Sequence, residues 1–395
     1  MKKILILFVS SLFTQQINAQ DTPTRVITTG VPFLMIAADA RSAGMGDQGV
    51  ATSADAFSQQ YNPAKYAFSL DKQGFSISYT PYLSELVNDI SLGQVNYFNR
   101  LNEFSAASAS LRYFSLGEIQ LTDTDGNQLN IVKPSEFTFD IAYALKLSER
   151  FSMSVGGRYI SSNLRLASNE TDATAGTSFA VDVAGFYQSE EIAFNEFNGR
   201  WRAGFNFQNL GPKISYDKTE TDFGSNFLPS NMRLGAGFDF ILDDYNKVSL
   251  STEFTKLLVP TPQDYTTTDY NGDGVIDSND KDAAINDYNK IGWSSGIFKS
   301  FNDAPDGFSE ELKEITYSVG TEYLYQDSFA MRLGYFHESP VKGARQFFSL
   351  GAGFKYSAIK VDVSYLFSAS KVKNPLENTL RFSLSFAFGD KYDEY

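Results

Sequence analysis

The stretch GMGDQG, from Gly44 to Gly49, has the G-x-G-x-x-G spacing of a dinucleotide-binding turn. An apolar run, FLMIAA at 33–38, precedes it, and an acidic residue, Asp71, follows roughly twenty positions further along. In dinucleotide-binding sites, an acidic residue at this distance binds the ribose hydroxyl. Glycines at this spacing let a backbone approach a pyrophosphate closely. The chemistry on offer is therefore nucleotide binding.

The surroundings of the motif favour a different interpretation. In a dinucleotide-binding unit the strand runs directly into the first glycine and a helix follows the third. Here residues 39–43 intervene, the candidate helix at 50–60 is short and meets Asn62-Pro63, and no alternation of strands and helices follows. We therefore expect the glycines to let the backbone lie close against a neighbouring protein wall.

A second motif, DYNGDGVIDSND at 269–280, has the ligand spacing of a calcium loop. Gly274 occupies loop position 6, where the sharp turn needs glycine, and a short helix is predicted over 281–290. The last ligand is an aspartate instead of a glutamate, so a weaker site is expected. The alternative is a solvated acidic loop. The predicted metal ligands are Asp269, Asn271, Asp273, the carbonyl of Val275, Asp277 and Asp280.

Catalytic chemistry has no comparable signal. His337 is the single histidine and cysteine is absent, so a zinc site built from histidines and thiolate catalysis are both excluded. No GxSxG turn offers a serine nucleophile. We expect no enzyme activity and no required cofactor, and we expect His337 in a loop or interface. The acidic pairs Asp243-Asp244 and Glu310-Glu311 are expected in solvated turns, and the alternative is that acidic loops bind divalent ions that bridge lipopolysaccharide.

The first nineteen residues have the pattern of a secretory signal peptide. Lys2 and Lys3 precede an apolar run at 4–13, and the small residue Ala19 ends the segment, so Gln20 is predicted to start the mature chain. The formal net charge is −14, which disfavours nucleic acid as a partner because phosphate binding is driven by lysine and arginine.

From residue 74 onward, apolar and polar residues alternate in segment after segment. In SEFTFDIAYALKL, for example, Phe139, Ile141 and Tyr143 share one face, while Asp140 and Ala142 share the other. This period of two predicts strands. About fourteen such segments begin near residues 74, 89, 104, 135, 151, 177, 199, 230, 247, 314, 328, 346, 358 and 379.

The polar faces of these strands distinguish a membrane barrel from a soluble sandwich or barrel. A soluble fold would expose polar faces rich in Lys, Glu and Thr, whereas here they are mostly Gly, Ala and Ser with isolated charges of both signs. Such faces suit a crowded aqueous lumen. The predicted lumenal charges are Arg158, Asp182, Arg233, Asp239, Glu322, Arg332, Asp362 and Arg381.

We therefore predict an all-β fold, a transmembrane antiparallel β-barrel of about 14 strands. A barrel this wide is not filled by its own side chains, so its lumen is either open or plugged. We assign 1–19 to the signal peptide, 20–70 to an N-terminal plug, 71–388 to the barrel and 389–395 to a C-terminal tail. Within the barrel, 258–313 is predicted to be a long extracellular loop carrying the calcium motif.

The block DARSAGMGDQGVATSADAFSQQYNPA at 39–64 resembles the N-terminal signature of the PorV (LptO) proteins of the type IX secretion system, a branch of the FadL-like outer-membrane barrels. NLGPKISY at 209–216 and the closing LRFSLSFAFG agree with that family. The residues that carry the signature are Asp39, Arg41, Gly44, Gly46, Gly49, Asn62 and Pro63.

The resemblance implies a non-enzymatic protein in the outer membrane, surrounded by lipid, of a Gram-negative bacterium of Bacteroidota type. It implies that the protein binds the C-terminal signal domains of secreted cargo, associates with the SprA (Sov) translocon barrel and passes cargo to the surface attachment complex. The alternative is a FadL-like transporter of hydrophobic small molecules. The small or charged inward positions favour the first role.

Overall fold

The computed structural model describes residues 25–84, 86–123, 125–164, 175–216, 225–263, 268–370, 372 and 374–392. The predicted signal peptide at 1–19 lies outside the described residues. Fourteen long strands dominate the fold. They are β1 (Asp71–Pro81), β2 (Ile90–Arg100), β3 (Ser105–Leu116), β4 (Ser135–Ser148), β5 (Phe151–Asn163), β6 (Gly176–Gln188), β7 (Asn198–Leu210), β8 (Asn231–Ile241), β9 (Asn246–Leu257), β10 (Ile315–Tyr325), β11 (Phe329–His337), β12 (Gln346–Tyr356), β13 (Ile359–Ser368) and β14 (Leu380–Lys391).

Each of these strands pairs antiparallel with the next one along the chain, and β14 pairs with β1. The sheet is therefore a closed fourteen-strand barrel, as predicted. Its connections are mostly shorter at one end than at the other. One end, here called the turn end, has short connections such as 149–150 and 357–358, and the other, the loop end, has long ones such as 117–134 and 258–314.

The apolar faces of the strands point outward. On β4, Phe139 is 48% exposed and Ile141 is 55% exposed, whereas Asp140 between them is 2% exposed. The predicted lumenal charges are all buried. Several of them form ion pairs with one another on the inner face of the wall, as Arg158 does with Asp182 at 3.0 Å and Arg332 with Asp362 at 2.7 Å. An apolar outer surface around a polar interior is the arrangement of a membrane barrel.

The barrel extends slightly beyond its predicted end at 388. Strand β14 runs to Lys391 because it continues to pair with the start of β1, where Asp71 lies opposite Lys391. Gly389, with φ of +90°, lies at the register shift. The predicted tail at 389–395 therefore begins too early, and its residues 393–395 lie outside the described residues.

The remaining elements are short and lie before the barrel or in its connections. Five α-helices are described: α1 (Ala40–Ala43), α2 (Ser58–Tyr61), α3 (Ser278–Lys290), α4 (Trp293–Lys299) and α5 (Phe308–Lys313). Two 3-10 helices are Pro32–Met35 and Pro63–Phe68, and short strands are Ile119–Thr122, Gln128–Val132 and Ile192–Ala193. Within the described ranges, no helix is both long and apolar enough to span a membrane. The helix predicted over 281–290 is confirmed as part of α3.

Candidate functional site

The residues singled out by the signature motif lie in one continuous segment, residues 30–69, which we call the lumen segment. It starts at the loop end, where Val31, Phe33 and Leu34 pack in an apolar cluster with Leu92 of β2 and Phe114 of β3. It finishes at the turn end, where the Arg100 guanidinium donates to the carbonyl of Ser69. The segment thus runs the length of the barrel before the chain enters β1.

Hydrogen bonds join the lumen segment to strands around the barrel. On one side, the hydroxyl of Thr80 on β1 donates to the carbonyl of Ala38 at 3.0 Å. On another, the Asn206 amide on β7 donates to the carbonyl of Tyr61 at 2.6 Å. Further partners on the wall are Ser108, Arg112, Ser152, Gly185, Glu253, Glu322, Ser349 and Ser383. The segment is therefore bound inside the barrel on many sides.

The first turn of the signature positions an arginine. The Asp39 carboxylate caps α1 by accepting the Ser42 N–H at 2.8 Å, and Arg41 follows on this helix. The Arg41 guanidinium donates to both carboxylate oxygens of Glu322 on β10, at 3.0 and 2.7 Å, and to Asp55 at 2.7 Å. Asp39, Arg41 and Glu322 are all buried, so this ion pair fixes the segment to the wall from within.

The first two glycines of GMGDQG approach the barrel wall closely. A Cβ on Gly44 would lie 3.0 Å from the Cα of Gly351 on β12. Gly46 has φ of +81°, and its Cβ would lie 2.8 Å from the carbonyl oxygen of Tyr335 on β11. Its own N–H donates to the Ser349 hydroxyl at 3.0 Å. Only glycine combines this conformation with this approach.

The third glycine packs within the segment instead. A Cβ on Gly49 would lie 2.4 Å from the ring of Tyr61. The N–H groups of Gly49 and Val50 both donate to one carboxylate oxygen of Glu253 on β9, at 2.8 and 2.9 Å. The backbone donors that a nucleotide phosphate would need are thus already bound to a carboxylate.

Asn62 and Pro63 shape the turn that leads to β1. The Asn62 amide donates to the carbonyls of Val50 and Gly185, both at 2.9 Å, and its side-chain oxygen accepts the Ala64 N–H at 3.1 Å. Pro63 starts the following 3-10 helix, where its fixed φ suits a first helical position. The signature residues, spread over 25 positions of sequence, therefore all lie inside the barrel.

The calcium motif lies at the loop end, in the β9–β10 connection, and its last three residues form the start of α3. The Asp269 carboxylate accepts the N–H groups of Gly272 at 2.7 Å and Gly274 at 2.8 Å, and Asp277 caps α3. Asp280 accepts the N–H of Asn271 at 2.9 Å. The acidic side chains therefore bind the loop's own backbone.

In the part of the chain that the structure describes, no three His, Cys, Asp or Glu side chains are grouped so that they could hold a metal ion. Asp273 also accepts a backbone N–H, from Val275 at 2.8 Å. Calcium binding would require these carboxylates to turn from the backbone toward the ion. The metal site at 269–280 thus stays a prediction.

A charged cluster at the barrel mouth was missed from the sequence. Glu310 and Glu311 on α5, expected in a solvated turn, are 3% and 6% exposed. Glu310 accepts from Arg25 at 2.9 Å and from Lys342 at 2.7 Å, and Glu311 accepts from Lys256 on β9 at 2.9 Å. Local sequence could not reveal these partners because they lie far away in the chain.

Two other expectations concern single residues. Asp243, also expected in a solvated turn, is exposed and accepts the N–H groups of Tyr245 and Asn246 at 2.8 and 2.7 Å, so that prediction is confirmed. His337, expected in a loop or interface, is instead the last residue of β11, where its ring stacks on Tyr317 at 4.7 Å. Strand pairing with Gln346 holds it there.

Comparison with known proteins adds a family and a fold. Residues 18–264 match the family model of the type IX secretion system protein PorV. No curated protein matches the chain. Its fold is similar to that of the P. putida toluene transporter TodX, at 11% identity, with 90% of this chain and 99% of that chain covered and a TM-score of 0.50.

Two further solved structures are similar over most of the chain. The Ralstonia pickettii toluene transporter TbuX has 10% identity, covers 90% of this chain and 100% of its own, and has a TM-score of 0.47. A Pseudomonas aeruginosa FadL homologue has 12% identity, 89% and 98% coverage, and a TM-score of 0.43. Since the PorV family model matches more than half of the chain, this protein belongs to the PorV family of the type IX secretion system, and it is a multi-pass β-barrel of the outer membrane.

Proposed function

We propose that this protein serves type IX secretion by binding other proteins instead of conducting solutes. It binds secreted cargo through the cargo's C-terminal signal domain, associates with the SprA (Sov) translocon barrel and passes cargo to attachment-complex proteins. The observation that carries the proposal is the lumen segment, which runs from the loop end to the turn end and is hydrogen-bonded to strands on several sides of the barrel. A barrel whose interior is occupied by its own chain is better suited to bind a partner protein at its outer surface than to conduct solutes through its lumen.

Apolar contacts and buried ion pairs hold the lumen segment stably inside the barrel. At the loop end the segment contributes to a buried apolar cluster that also contains Ile160, Ile214 and Leu228. Nearer the turn end, buried ion pairs such as Arg41–Glu322 hold it to the wall. If the segment moved out of the lumen, its partners on the wall would stay buried without an opposite charge, which is strongly unfavourable.

The alternative function, transport of hydrophobic small molecules, depends on an apolar pocket between the lumen segment and the wall. A cavity of about 370 Å³ at the turn end is lined by charged residues, including Arg202, Lys360 and Asp362, together with apolar residues such as Phe57 and Phe98. A second, of about 360 Å³ at the loop end, combines Ile27 and Phe336 with charged residues such as Arg233, Glu338 and Lys342. Such mixed linings favour a hydrophobic ligand less than a predominantly apolar pocket would.

The test is purification of the tagged protein in gentle detergent from cells that secrete through this system. Co-purification of a very large barrel together with secreted proteins supports the proposal, and recovery of bound lipid alone supports transport. Long loops of outer-membrane barrels face the cell exterior, so cargo should contact the loop end. The double variant Leu129→Ser/Ile131→Ser, in an exposed loop-end strand, should recover less cargo than Tyr356→Ser, an exposed residue at the turn end.

A further inference from the structure

Large apolar side chains are exposed on two short helices at the loop end. Phe298 on α4 is 79% exposed, and Phe308 and Leu312 on α5 are 74% and 52% exposed. These helices belong to the long connection between β9 and β10, outside the strands of the barrel wall. We call these three residues the α4–α5 apolar surface. Large apolar side chains exposed to this extent mark a contact with a partner or a membrane.

Helix α5 exposes its apolar face and buries its charged face, which is the reverse of a surface helix in a soluble protein. Phe308 and Leu312 are four residues apart, so they lie on one face and point to the outside. The other face carries Glu310 and Glu311, whose carboxylates are buried in ion pairs. The charged face of α5 is therefore the one that packs against the protein.

The ion-pair partners show how α5 is oriented. Arg25, just before the lumen segment, and Lys342, between β11 and β12, bind Glu310 from the side of the barrel mouth. Lys256 binds Glu311, and it belongs to the outward-facing row of β9 that also contains Leu250 and Phe254. Helix α5 thus lies on the rim of the wall, with its apolar face directed away from the mouth.

Helix α5 lies near an apolar part of the outer wall, because its Glu311 pairs with Lys256 at the loop end of β9. Phe254 on β9 and Val319 on β10 are 48% and 51% exposed and face the membrane lipid. Charge points to the same surroundings, because Lys299 and Lys313 stand in the last turns of α4 and α5 and are exposed. Amphipathic helices with apolar residues and lysines in this arrangement lie in the membrane interface.

We propose that α4 and α5 rest on the outer leaflet of the membrane. Phe298, Phe308 and Leu312 insert at the boundary between headgroups and acyl chains, and Lys299 and Lys313 contact lipid phosphate groups. The cluster of Arg25, Glu310 and Lys342 braces the helices from the mouth side. The occupant of this surface is phosphate-bearing lipid, and its contact sets the height of the β9–β10 loop above the membrane.

The test uses tryptophan fluorescence, because the chain has only two tryptophans, Trp201 and Trp293. In a Trp201→Phe/Trp293→Phe background, a single tryptophan is introduced by Phe298→Trp or by Phe308→Trp. Each protein is purified alone and reconstituted in phosphatidylglycerol bilayers containing phospholipid with brominated acyl chains. We expect quenching at roughly half or more of the level of a tryptophan in the wall, as in Phe254→Trp, because an interfacial helix inserts only to the acyl boundary.

The aqueous reference is Leu129→Trp in the same background, since Leu129 is 55% exposed in another loop-end strand. If Phe298→Trp and Phe308→Trp are both quenched by aqueous iodide like Leu129→Trp and not by brominated lipid, the surface faces water or a protein partner and the proposal is wrong. Unchanged heat-modifiable migration on gels verifies that each barrel is folded.

The lysines are tested separately. The double variant Lys299→Glu/Lys313→Glu should lose at least half of the bromine quenching at Phe308→Trp, because like charges repel the phosphatidylglycerol headgroups. Full quenching in this variant would contradict the phosphate contacts. Because neither cargo nor translocon is present in these samples, the result is independent of the proposed secretion role.

Discussion

Arg41 and Glu322 join the lumen segment to the barrel wall through a buried ion pair made at two points. Both carboxylate oxygens accept, at 3.0 and 2.7 Å, and the side chains are 6% and 2% exposed. A second arginine, Arg332 on β11, donates to the same carboxylate at 2.7 Å. Glu322 thus pairs with one arginine of the lumen segment and one of the wall, and Asp55 and Asp362 supply further negative charge.

The substitution Glu322→Gln should strongly destabilise the folded barrel. It leaves Arg41 and Arg332 buried with one fewer negative charge, and breaking a buried pair in this way costs about 3 to 5 kcal/mol. Urea unfolding in lipid, followed by heat-modifiable migration, measures the loss. The control is Glu190→Gln, which breaks the exposed pair with Arg150 and should cost about 0 to 1 kcal/mol. Equal losses in the two variants would show that the buried pair has no special role.

The substitution Gly46→Ala should impair barrel assembly and secretion. Its Cβ would lie 2.8 Å from a backbone oxygen of β11, which cannot move without breaking strand pairing, and the φ of +81° adds strain. Gly126→Ala is a matched control, because Gly126 has φ of +83° but nothing within 4 Å of the added Cβ. It should cost only the conformational term of about 1 to 2 kcal/mol. Pulse-chase analysis of the folded form separates the two variants, and similar yields would contradict the close approach.

Acid should release the β9–β10 loop. Burial raises the pKa of Glu310, but the hydrogen bonds from Arg25 and Lys342 outweigh it and lower that pKa to about 2, below its usual 4.5. Because the folded pKa is depressed, the stabilisation is present above pH 4.5 and is lost as pH falls toward 2. Limited proteolysis across this range should show increasing cleavage near α5. In Glu310→Gln, cleavage should already be high at pH 7, and a profile identical to that of the unsubstituted protein would refute the role of this ion pair.

Calcium should bind the 269–280 loop if the predicted ligands turn toward the ion. Calorimetric titration of the chelator-treated protein is expected to give calcium-dependent heat, and Asp273→Asn should weaken it because one carboxylate ligand becomes an amide. Asp243→Asn, in an exposed turn elsewhere, is the control and should leave the heat unchanged. Absence of both heat and a melting shift with calcium would remove the metal prediction.

The strands were predictable because their signal is local. Side chains alternate between the two faces of a strand, so Phe139, Asp140 and Ile141 already report which side faces lipid and which faces the lumen. The closed barrel then follows from the number and spacing of such segments. The position where β14 ends was not predictable, because it depends on pairing with Asp71, more than three hundred residues earlier.

Charge partners were decided by the tertiary structure. The sequence predicts Glu310 and Glu311 as a solvated pair. In the structure both are buried in ion pairs, and only the folded barrel brings their partners, Arg25, Lys342 and Lys256, to one place. Likewise, the sequence marks Arg41 as part of the signature, but only the folded barrel shows that its partner is Glu322 on β10. Ion pairing acts over a few ångströms, and sequence separation carries no information about that distance.

The glycine motif shows both contributions. By itself, the sequence determined that a backbone near residues 44–49 must approach something closely, since glycine permits conformations and contacts that a Cβ forbids. What it approaches, the carbonyl of Tyr335 on β11 and the ring of Tyr61, was decided only by the way the segment folds within the barrel. The residue type alone determines which backbone conformations and close contacts are sterically allowed, whereas the identity of the neighbour depends on contacts between distant parts of the chain.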